Sequence, residues 1–93
     1  MVRNRVYTLR VSASASRQIS EELPEAVATA VIEFITGPLT QNPIQVGAPL
    51  QRELAGKHAA RRGTFRIIYS IDESDHAVIV EWIMARSDVY RRR

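Results

Sequence analysis

Hydrophobic and polar positions alternate with two different periods along this chain, and the change of period predicts where strands give way to helices. From Val6 to Val11 apolar and polar residues alternate, which is typical of a strand of mixed burial. The serine-rich stretch 12–16 offers helix caps, and it predicts a short helix from about Ala15 to Leu23. Pro24 marks the break before a second helix.

The clearest helical signal is the segment after Pro24. Its apolar residues recur at the spacing of one helix face: Val27, Ala30, Val31, Phe34 and Ile35. Gly37 and Pro38 predict the end of this helix. A stripe at this spacing belongs to a core far more often than to a functional surface, so we expect the helix to cover a sheet. Leu50 and Leu54 suggest one further short helix.

Three strands are predicted in the second half of the chain, over 57–61, 64–71 and 77–84. The polar stretch 72–75 predicts a hairpin turn between the last two. In the last strand both alternating sets are largely apolar, which indicates a central strand, and strict alternation puts Val78, Val80, Trp82 and Met84 on one face.

These elements predict one α+β domain over residues 1–93. We expect a small, mainly antiparallel sheet of about four strands, with an N-terminal pair of helices packed on one face. At 93 residues such a domain has a single modest core.

Composition narrows the possible chemistry. The chain has no cysteine and two histidines, which excludes a disulfide framework and a zinc site with four Cys or His ligands. We predict no metal and no cofactor. The longest apolar run is far shorter than a membrane span, and the N-terminal residues do not form a signal peptide, so a soluble cytoplasmic protein is expected.

Positive charge is concentrated in one segment. Between positions 52 and 66 there are five cations and one anion, Glu53. The cations are Arg52, Lys57, Arg61, Arg62 and Arg66. Arg66 lies within the predicted strand 64–71, opposite in phase to Phe65 and Ile67. Guanidinium groups on a rigid strand are suited to bind phosphate, although a solvated, charge-rich turn has the same composition.

Most familiar catalytic patterns are missing from the sequence. There is no glycine-rich phosphate loop and no His-Glu-x-x-His motif, and His76 follows the hairpin turn as an expected surface residue. His58 lies inside the basic segment, so it is less easily dismissed as a surface residue. RNA cleavage suits such a protein, because the ribose 2′-OH attacks its own adjacent phosphate. The protein then supplies only proton transfer and cationic stabilisation.

The amino-acid sequence of the basic segment resembles that of a known protein family. Leu54-Ala55-Gly56 and the stretch 60–69, Ala-Arg-Arg-Gly-Thr-Phe-Arg-Ile-Ile-Tyr, are similar to the central segment of the RelE/ParE superfamily of bacterial toxins, and particularly its RelE branch. The C-terminal Arg86-Ser87-Asp88-Val89-Tyr90 resembles that family's closing Arg-x-x-x-Tyr, and the resemblance extends upstream through Leu23-Pro24 to Phe34–Leu39.

The resemblance implies a ribosome-dependent, metal-independent endoribonuclease that cleaves mRNA. According to this resemblance, Arg66 stabilises the phosphate. Lys57 binds the RNA backbone or assists proton transfer, and Tyr90 stacks on or orients the reacting nucleotide. Arg86 is the expected second charge, which would favour the ionised form of Tyr90. Arg61 matches a further basic position that binds the RNA backbone, and we also predict that Arg52, His58 and Arg62 of the basic segment bind RNA.

The resemblance also implies partners. These are a cognate RelB-like antitoxin, the ribosome with its mRNA, and the operator DNA of the toxin–antitoxin complex. The chain departs from the family at Ala59, where some relatives carry a second lysine, and at Met84 and Ala85, where relatives often carry Arg or His. Two alternatives stay open. Because the superfamily shares one fold among different targets, the chain could be a ParE-like toxin that inhibits DNA gyrase by binding, and because of these departures it could be a catalytically inactive relative.

Overall fold

The computed structural model describes residues 6–85. In chain order its elements are β1 (Thr8–Val11), α1 (Ala13–Arg17), a π-helical turn (Gln18–Glu22), α2 (Glu25–Ile35), α3 (Pro38–Gln41), β2 (Ala48–Pro49), a 3₁₀ turn (Arg52–Leu54), β3 (Lys57–Arg62), β4 (Phe65–Asp72) and β5 (Ala77–Ala85). Arg86 and Tyr90 lie outside the described residues.

The strands form one five-stranded sheet in the order β1-β5-β4-β3-β2. β1 runs parallel to β5, and the other three pairings are antiparallel. The predicted α+β class, the mainly antiparallel sheet and the central position of β5 are confirmed. The fifth strand is β2, whose two residues pair with His58 and Ala59. Two residues with a proline carry too little pattern for the sequence to predict a strand there.

The helices pack against one side of this sheet, which we call the helix face. The buried cluster joins α1 to α3 with alternate residues of the three long strands: Ala15, Val31, Phe34, Ile35, Leu39, Ala60, Phe65, Ile67, Tyr69, Val78, Val80 and Ile83. The predicted phase of β4 is confirmed, since Phe65, Ile67 and Tyr69 all belong to the cluster. Within the α2 stripe, Ala30 is exposed while Val31 and Phe34 are buried.

The first predicted helix has a different form from the expected one. It begins earlier than Ala15, because the Ser12 side chain accepts a hydrogen bond from the Ala15 amide and caps α1. It then widens after Arg17 into a π-helical turn, in which Leu23 N donates to Gln18 O over 2.9 Å. None of the helices in residues 6–85 is long and apolar enough to cross a membrane.

The expectation of strict alternation along β5 was wrong, because the strand contains a β-bulge. Ile68 pairs with Trp82 while the next residue, Tyr69, pairs with Val80, so Glu81 is the extra residue. Because one residue is inserted, each side chain that follows it in β5 lies on the opposite face from the one that alternation predicts. Ile83 therefore enters the core, and Trp82 turns to the other side of the sheet.

Two side chains from the N-terminal region hold the edge of β5 beside this bulge. β1 ends opposite Val80, and beyond that point the Ser12 hydroxyl donates to Glu81 O over 2.6 Å. The Gln18 amide bonds both backbone groups of Ile83, over 2.6 and 2.8 Å. These contacts satisfy backbone groups that β1 does not reach, and they fix the bulge in place.

Candidate functional site

The side of the sheet opposite the helices carries the candidate site. Residues paired across neighbouring strands share a face, so the register places one set of side chains together. We call this surface the arginine face, and it includes Lys57, Ala59, Arg61, Arg66, Ile68, Ser70, Ile79, Glu81, Trp82 and Met84.

Arg61 and Arg66 form the centre of the arginine face. They are direct partners in the β3–β4 register, and both are exposed. Directly opposed side chains have Cβ atoms about 5 Å apart, and like charges in this arrangement destabilise a sheet. Within residues 6–85 neither guanidinium has an acidic partner. An anion that bridges both groups would remove the repulsion, which makes the pair a suitable phosphate-binding element.

Lys57 lies on the same face but is already paired. Its Nζ lies 3.3 Å from a carboxylate oxygen of Glu81, and the Ser70 hydroxyl donates to that oxygen over 2.7 Å. Both charged side chains are mostly buried, with 31% and 25% of their surface exposed. Glu81 was missed by sequence reasoning, because alternation placed it with Ile83; a charged residue inside an apolar strand was the available signal.

His58 and Arg62 lie on the helix face, apart from the arginine pair. His58 pairs with Tyr69, and the two rings stack with centroids 5.4 Å apart. Its Nδ1 is buried and has no hydrogen-bond partner in the described part of the chain. The Arg62 guanidinium lies 4.9 Å from the ring centre of Phe34 in α2, a cation–π contact. The predicted basic segment is thus divided between two faces.

The remaining predicted residues lie away from the centre of the arginine face or outside the described chain. Arg52 is exposed in the 3₁₀ turn with a φ of 59°, a conformation that non-glycine residues seldom adopt. Arg86 and Tyr90, the second predicted cation and the predicted stacking residue, follow β5 and lie outside the described residues. Met84, which pairs with Arg66, is therefore the last described side chain of the face.

Two tyrosines are described, and neither belongs to the arginine face. Tyr69 is fully buried, and its hydroxyl donates to Pro43 O over 2.6 Å. Burial raises the pKa of Tyr69 to about 12. At Gly47 a Cβ atom would overlap the Tyr69 hydroxyl and would lie 2.7 Å from Ala59 O, so this loop needs glycine to approach the sheet. Partial desolvation and a hydrogen bond to Glu73 raise the pKa of Tyr7.

We examined the described part of the chain for clusters of side chains that could bind a metal ion. Across residues 6–85, no three His, Asp or Glu side chains are gathered as ligands for an ion. His76, next to the acidic turn, stacks on Tyr7 with ring centres 3.8 Å apart. The described chemistry of the site is therefore that of fixed cations with one carboxylate.

Comparison with known proteins gives relatives that match along nearly the whole chain. The chain is 44% identical to Toxin RelG of Mycobacterium tuberculosis over 86 residues, which cover 92% of this chain and 98% of RelG. It is also 44% identical to Toxin RelE of the same organism over 85 residues, 91% of this chain and 87% of that toxin. No protein-family model matches the chain.

Solved structures of similar toxins have the same fold as this chain. A chain of the RelBE2 toxin–antitoxin complex from M. tuberculosis superposes with a TM-score of 0.84 at 41% identity, covering 88% of this chain and all of that one, 100%. The isolated E. coli RelE toxin has a TM-score of 0.68 at 17% identity, with 90% of each chain covered, which shows the fold alone. Identity above 40% over almost the full length of such toxins establishes that the chain belongs to the RelE family of toxins.

Proposed function

We propose that this protein is a ribosome-dependent endoribonuclease that cleaves mRNA, and that a cognate antitoxin neutralises it. The observation that supports the proposal most strongly is the opposed pair Arg61 and Arg66 on an exposed sheet face. Two fixed guanidinium groups present several N–H donors to one phosphate. Membership of the RelE family agrees with this role, because the resemblance assigns the phosphate contact to Arg66.

The reaction also needs proton transfer, which Lys57 and Tyr90 are proposed to assist. The 2′-hydroxyl loses its proton to a base as its oxygen attacks the adjacent phosphorus, the bond to the 5′-oxygen breaks, and the 5′-oxygen takes up a proton. The products therefore carry a 2′,3′-cyclic phosphate and a 5′-hydroxyl. Negative charge increases on the phosphate oxygens in the transition state. Preorganised cations stabilise that charge more than they stabilise the ground state. DNA lacks the 2′-OH and is therefore not cleaved.

Lys57 acts as a cation of fixed position in this scheme. Glu81, which accepts a hydrogen bond from Ser70, holds its ammonium group at the far end of the arginine face, four residues along β3 from Arg61. It binds a neighbouring phosphate of the message. Tyr90 and Arg86 are proposed to orient the reacting nucleotide from the C-terminal segment. Arg52 is proposed to add positive charge near the face, whereas Arg62 lies on the helix side of β3.

The partners follow from the same surface. The chain carries a net charge of +3, and the unpaired cations of the described sheet lie on β3 and β4, so an acidic segment of the antitoxin is expected to cover them. The similar RelBE2 chain comes from a toxin–antitoxin complex, which supports an antitoxin as the partner of this chain. Binding of the toxin–antitoxin complex to its own operator DNA is part of the proposal.

A second candidate function is inhibition of DNA gyrase by binding alone. The observation in its favour is that Met84, and not a cation, is the partner of Arg66 on β5, and that Ala59 lies between Lys57 and Arg61 on β3. If this protein is a ribonuclease, its site has fewer cations than the sites of relatives that carry Lys, Arg or His at these positions. It would then rely more heavily on the arginine pair or on groups of the ribosome to stabilise the transition state. A gyrase inhibitor has no need of opposed arginines that can bind phosphate.

Expression in bacteria tests the proposal directly. Arg66→Ala is expected to abolish growth arrest while the purified variant keeps its circular dichroism spectrum and its affinity for the antitoxin. Arg17→Ala, a change of an exposed arginine in α1, is the matched control and is expected to remain toxic. Full toxicity of Arg66→Ala would contradict the catalytic role. Inhibition of supercoiling by the purified protein without ribosomes would instead support the gyrase alternative.

A further inference from the structure

The bulge in β5 delivers a large aromatic side chain to the arginine face. Without the extra residue at Glu81, Trp82 would follow Val78 and Val80 into the core. With it, Trp82 pairs with Ile68 on the opposite side and is partly exposed. Bulges often redirect a side chain next to a functional site, and this one is held by hydrogen bonds from Ser12 and Gln18.

The position of Trp82 relative to the arginine pair suits one nucleotide. Arg66 is opposite Met84, so Trp82, two residues earlier on the same strand, is its diagonal neighbour. Diagonal neighbours in an antiparallel pair are about 7–8 Å apart, which is within reach of long and aromatic side chains. A phosphate on Arg66 therefore leaves its own base or the adjacent one near the indole ring.

The surroundings of Trp82 favour a flat apolar ligand over another charged one. Its cross-strand partner Ile68 is buried at 2% exposure, and Met84, two residues further along β5, is 38% exposed. Trp82 and Met84 therefore present the accessible apolar surface here, next to the cations of β3 and β4. Single-stranded nucleic acid combines both requirements, since its phosphates need cations and its bases stack on aromatic rings.

We propose that Trp82 is a base-stacking residue, which holds a nucleobase of single-stranded RNA while the Arg61–Arg66 pair holds the phosphate. This inference rests on the proposed function and adds a contact to the substrate. Stacking on an indole is tolerant of sequence, because every base has a π face. Trp82 therefore contributes affinity and orientation and does not select a codon.

Paired variants in a translating extract test the contact. Trp82→Leu removes the aromatic ring and is expected to lower the rate of mRNA cleavage about 5- to 150-fold at subsaturating message, the range for loss of one stacked base. Trp82→Phe keeps a π face and is expected to stay within about threefold of the wild type. Equal loss in both variants, or a wild-type rate in Trp82→Leu, would overturn the stacking role.

An Arg66→Ala arm in the same extract separates this inference from the proposed function. If Arg66→Ala is inactive and Trp82→Leu cleaves normally, the ribonuclease stands and the stacking contact is wrong. If Arg66→Ala cleaves normally, the phosphate site is wrong and the stacking inference falls with it. Thermal unfolding of each variant shows whether a loss of rate comes from a loss of fold.

Fluorescence gives a direct reading, because the chain has one tryptophan. The probe is a dye-labelled RNA octamer with 2′-O-methyl groups, compared with an abasic octamer of the same phosphate count. Dye anisotropy reports occupancy, and Trp82 emission reports stacking. We expect the base-containing octamer to quench the emission more strongly at equal occupancy. Equal quenching by both octamers would show that no base lies on the indole.

Discussion

The two faces of the sheet use the same three strands for opposite purposes. On the helix face Ile67, Val78 and Val80 are fully buried, and they join the helices in one core. On the arginine face Arg61 and Arg66 are exposed and opposed, an arrangement that costs stability. The neighbouring residues Ile67 and Arg66 of β4 thus serve stability and chemistry separately. Substitutions on the two faces should therefore have different consequences, and this difference can be measured.

The largest difference in stability is expected between neighbouring residues of β4. Ile67→Ala removes a fully buried side chain from the core and should lower the free energy of unfolding by about 2–5 kcal/mol. Arg66→Ala, one residue earlier on the exposed face, should change it by less than about 0.5 kcal/mol. Urea unfolding measures both. Similar losses in the two variants would contradict the separation of the faces.

For activity, we expect the substitution on the arginine face to have the larger effect. Arg66→Ala should lower the cleavage rate about 100- to 1000-fold, since removal of one preorganised group that stabilises the transition state has this effect. Arg66→Lys keeps the charge but loses the planar fork, and it should recover only part of the rate. A single-turnover assay on ribosome-bound mRNA measures both. Full recovery by lysine would mean that charge alone is enough.

A pH series tests the helix face through Tyr69. Its pKa is about 12 in the folded protein against 10.0 ordinarily, so the folded state binds the proton more tightly. The resulting stability is present below pH 10 and is lost as the pH rises towards 12, by roughly 1–3 kcal/mol. Tyr69→Phe should be less stable at neutral pH, because Pro43 O loses its donor, but its stability should not show this alkaline loss. Equal alkaline losses in both proteins would contradict the assignment.

Ser12→Ala tests the link between the faces. Ser12 caps α1 and bonds the carbonyl of the bulged Glu81, so its loss should cost about 1–2 kcal/mol of stability. A looser bulge should also change the emission of Trp82. Ser14→Ala, an exposed change within α1, is the control. An unchanged emission spectrum in Ser12→Ala would show that the bulge does not depend on this hydroxyl.

A modest effect is expected at the Lys57–Glu81 pair. Glutamine keeps a side-chain oxygen that can accept from the Ser70 hydroxyl, so Glu81→Gln removes only the charge and should lower the free energy of unfolding by about 1 kcal/mol. It should nonetheless lower activity if Glu81 fixes the Lys57 ammonium group. Titration with salt gives an independent check, because added salt weakens such a pair. Wild-type activity in Glu81→Gln would remove the positioning role.

Much of this molecule follows from its sequence. Period-two alternation predicted β4 with the correct faces, and the helical stripe predicted α2, because both patterns span several turns or pairs. The role of Arg66 was inferred from the family resemblance, and it stays a prediction.

The rest depends on contacts between distant residues. The bulge at Glu81 depends on Ser12 and Gln18, more than sixty positions away, so no local pattern reveals it. Alternation therefore grouped Trp82 with Val78 and Val80, from which the bulge separates it. The two-residue strand β2 exists only because β3 offers it a partner. The sequence prediction grouped Arg62 and His58 with the other cations because they are close in sequence. The alternation of side chains along β3 places these two residues on the helix face and Lys57 and Arg61 on the arginine face.

Mapping of RNA 5′ ends is the decisive test of ribosome-dependent cleavage through Arg66. The purified protein is added to a translating extract, with ribosome-free RNA and the Arg66→Ala variant in parallel. We expect new 5′-hydroxyl ends at codon-registered positions, with wild-type protein and ribosomes only. The absence of new ends at a concentration that still stops translation, or their full retention in Arg66→Ala, would contradict the proposed function.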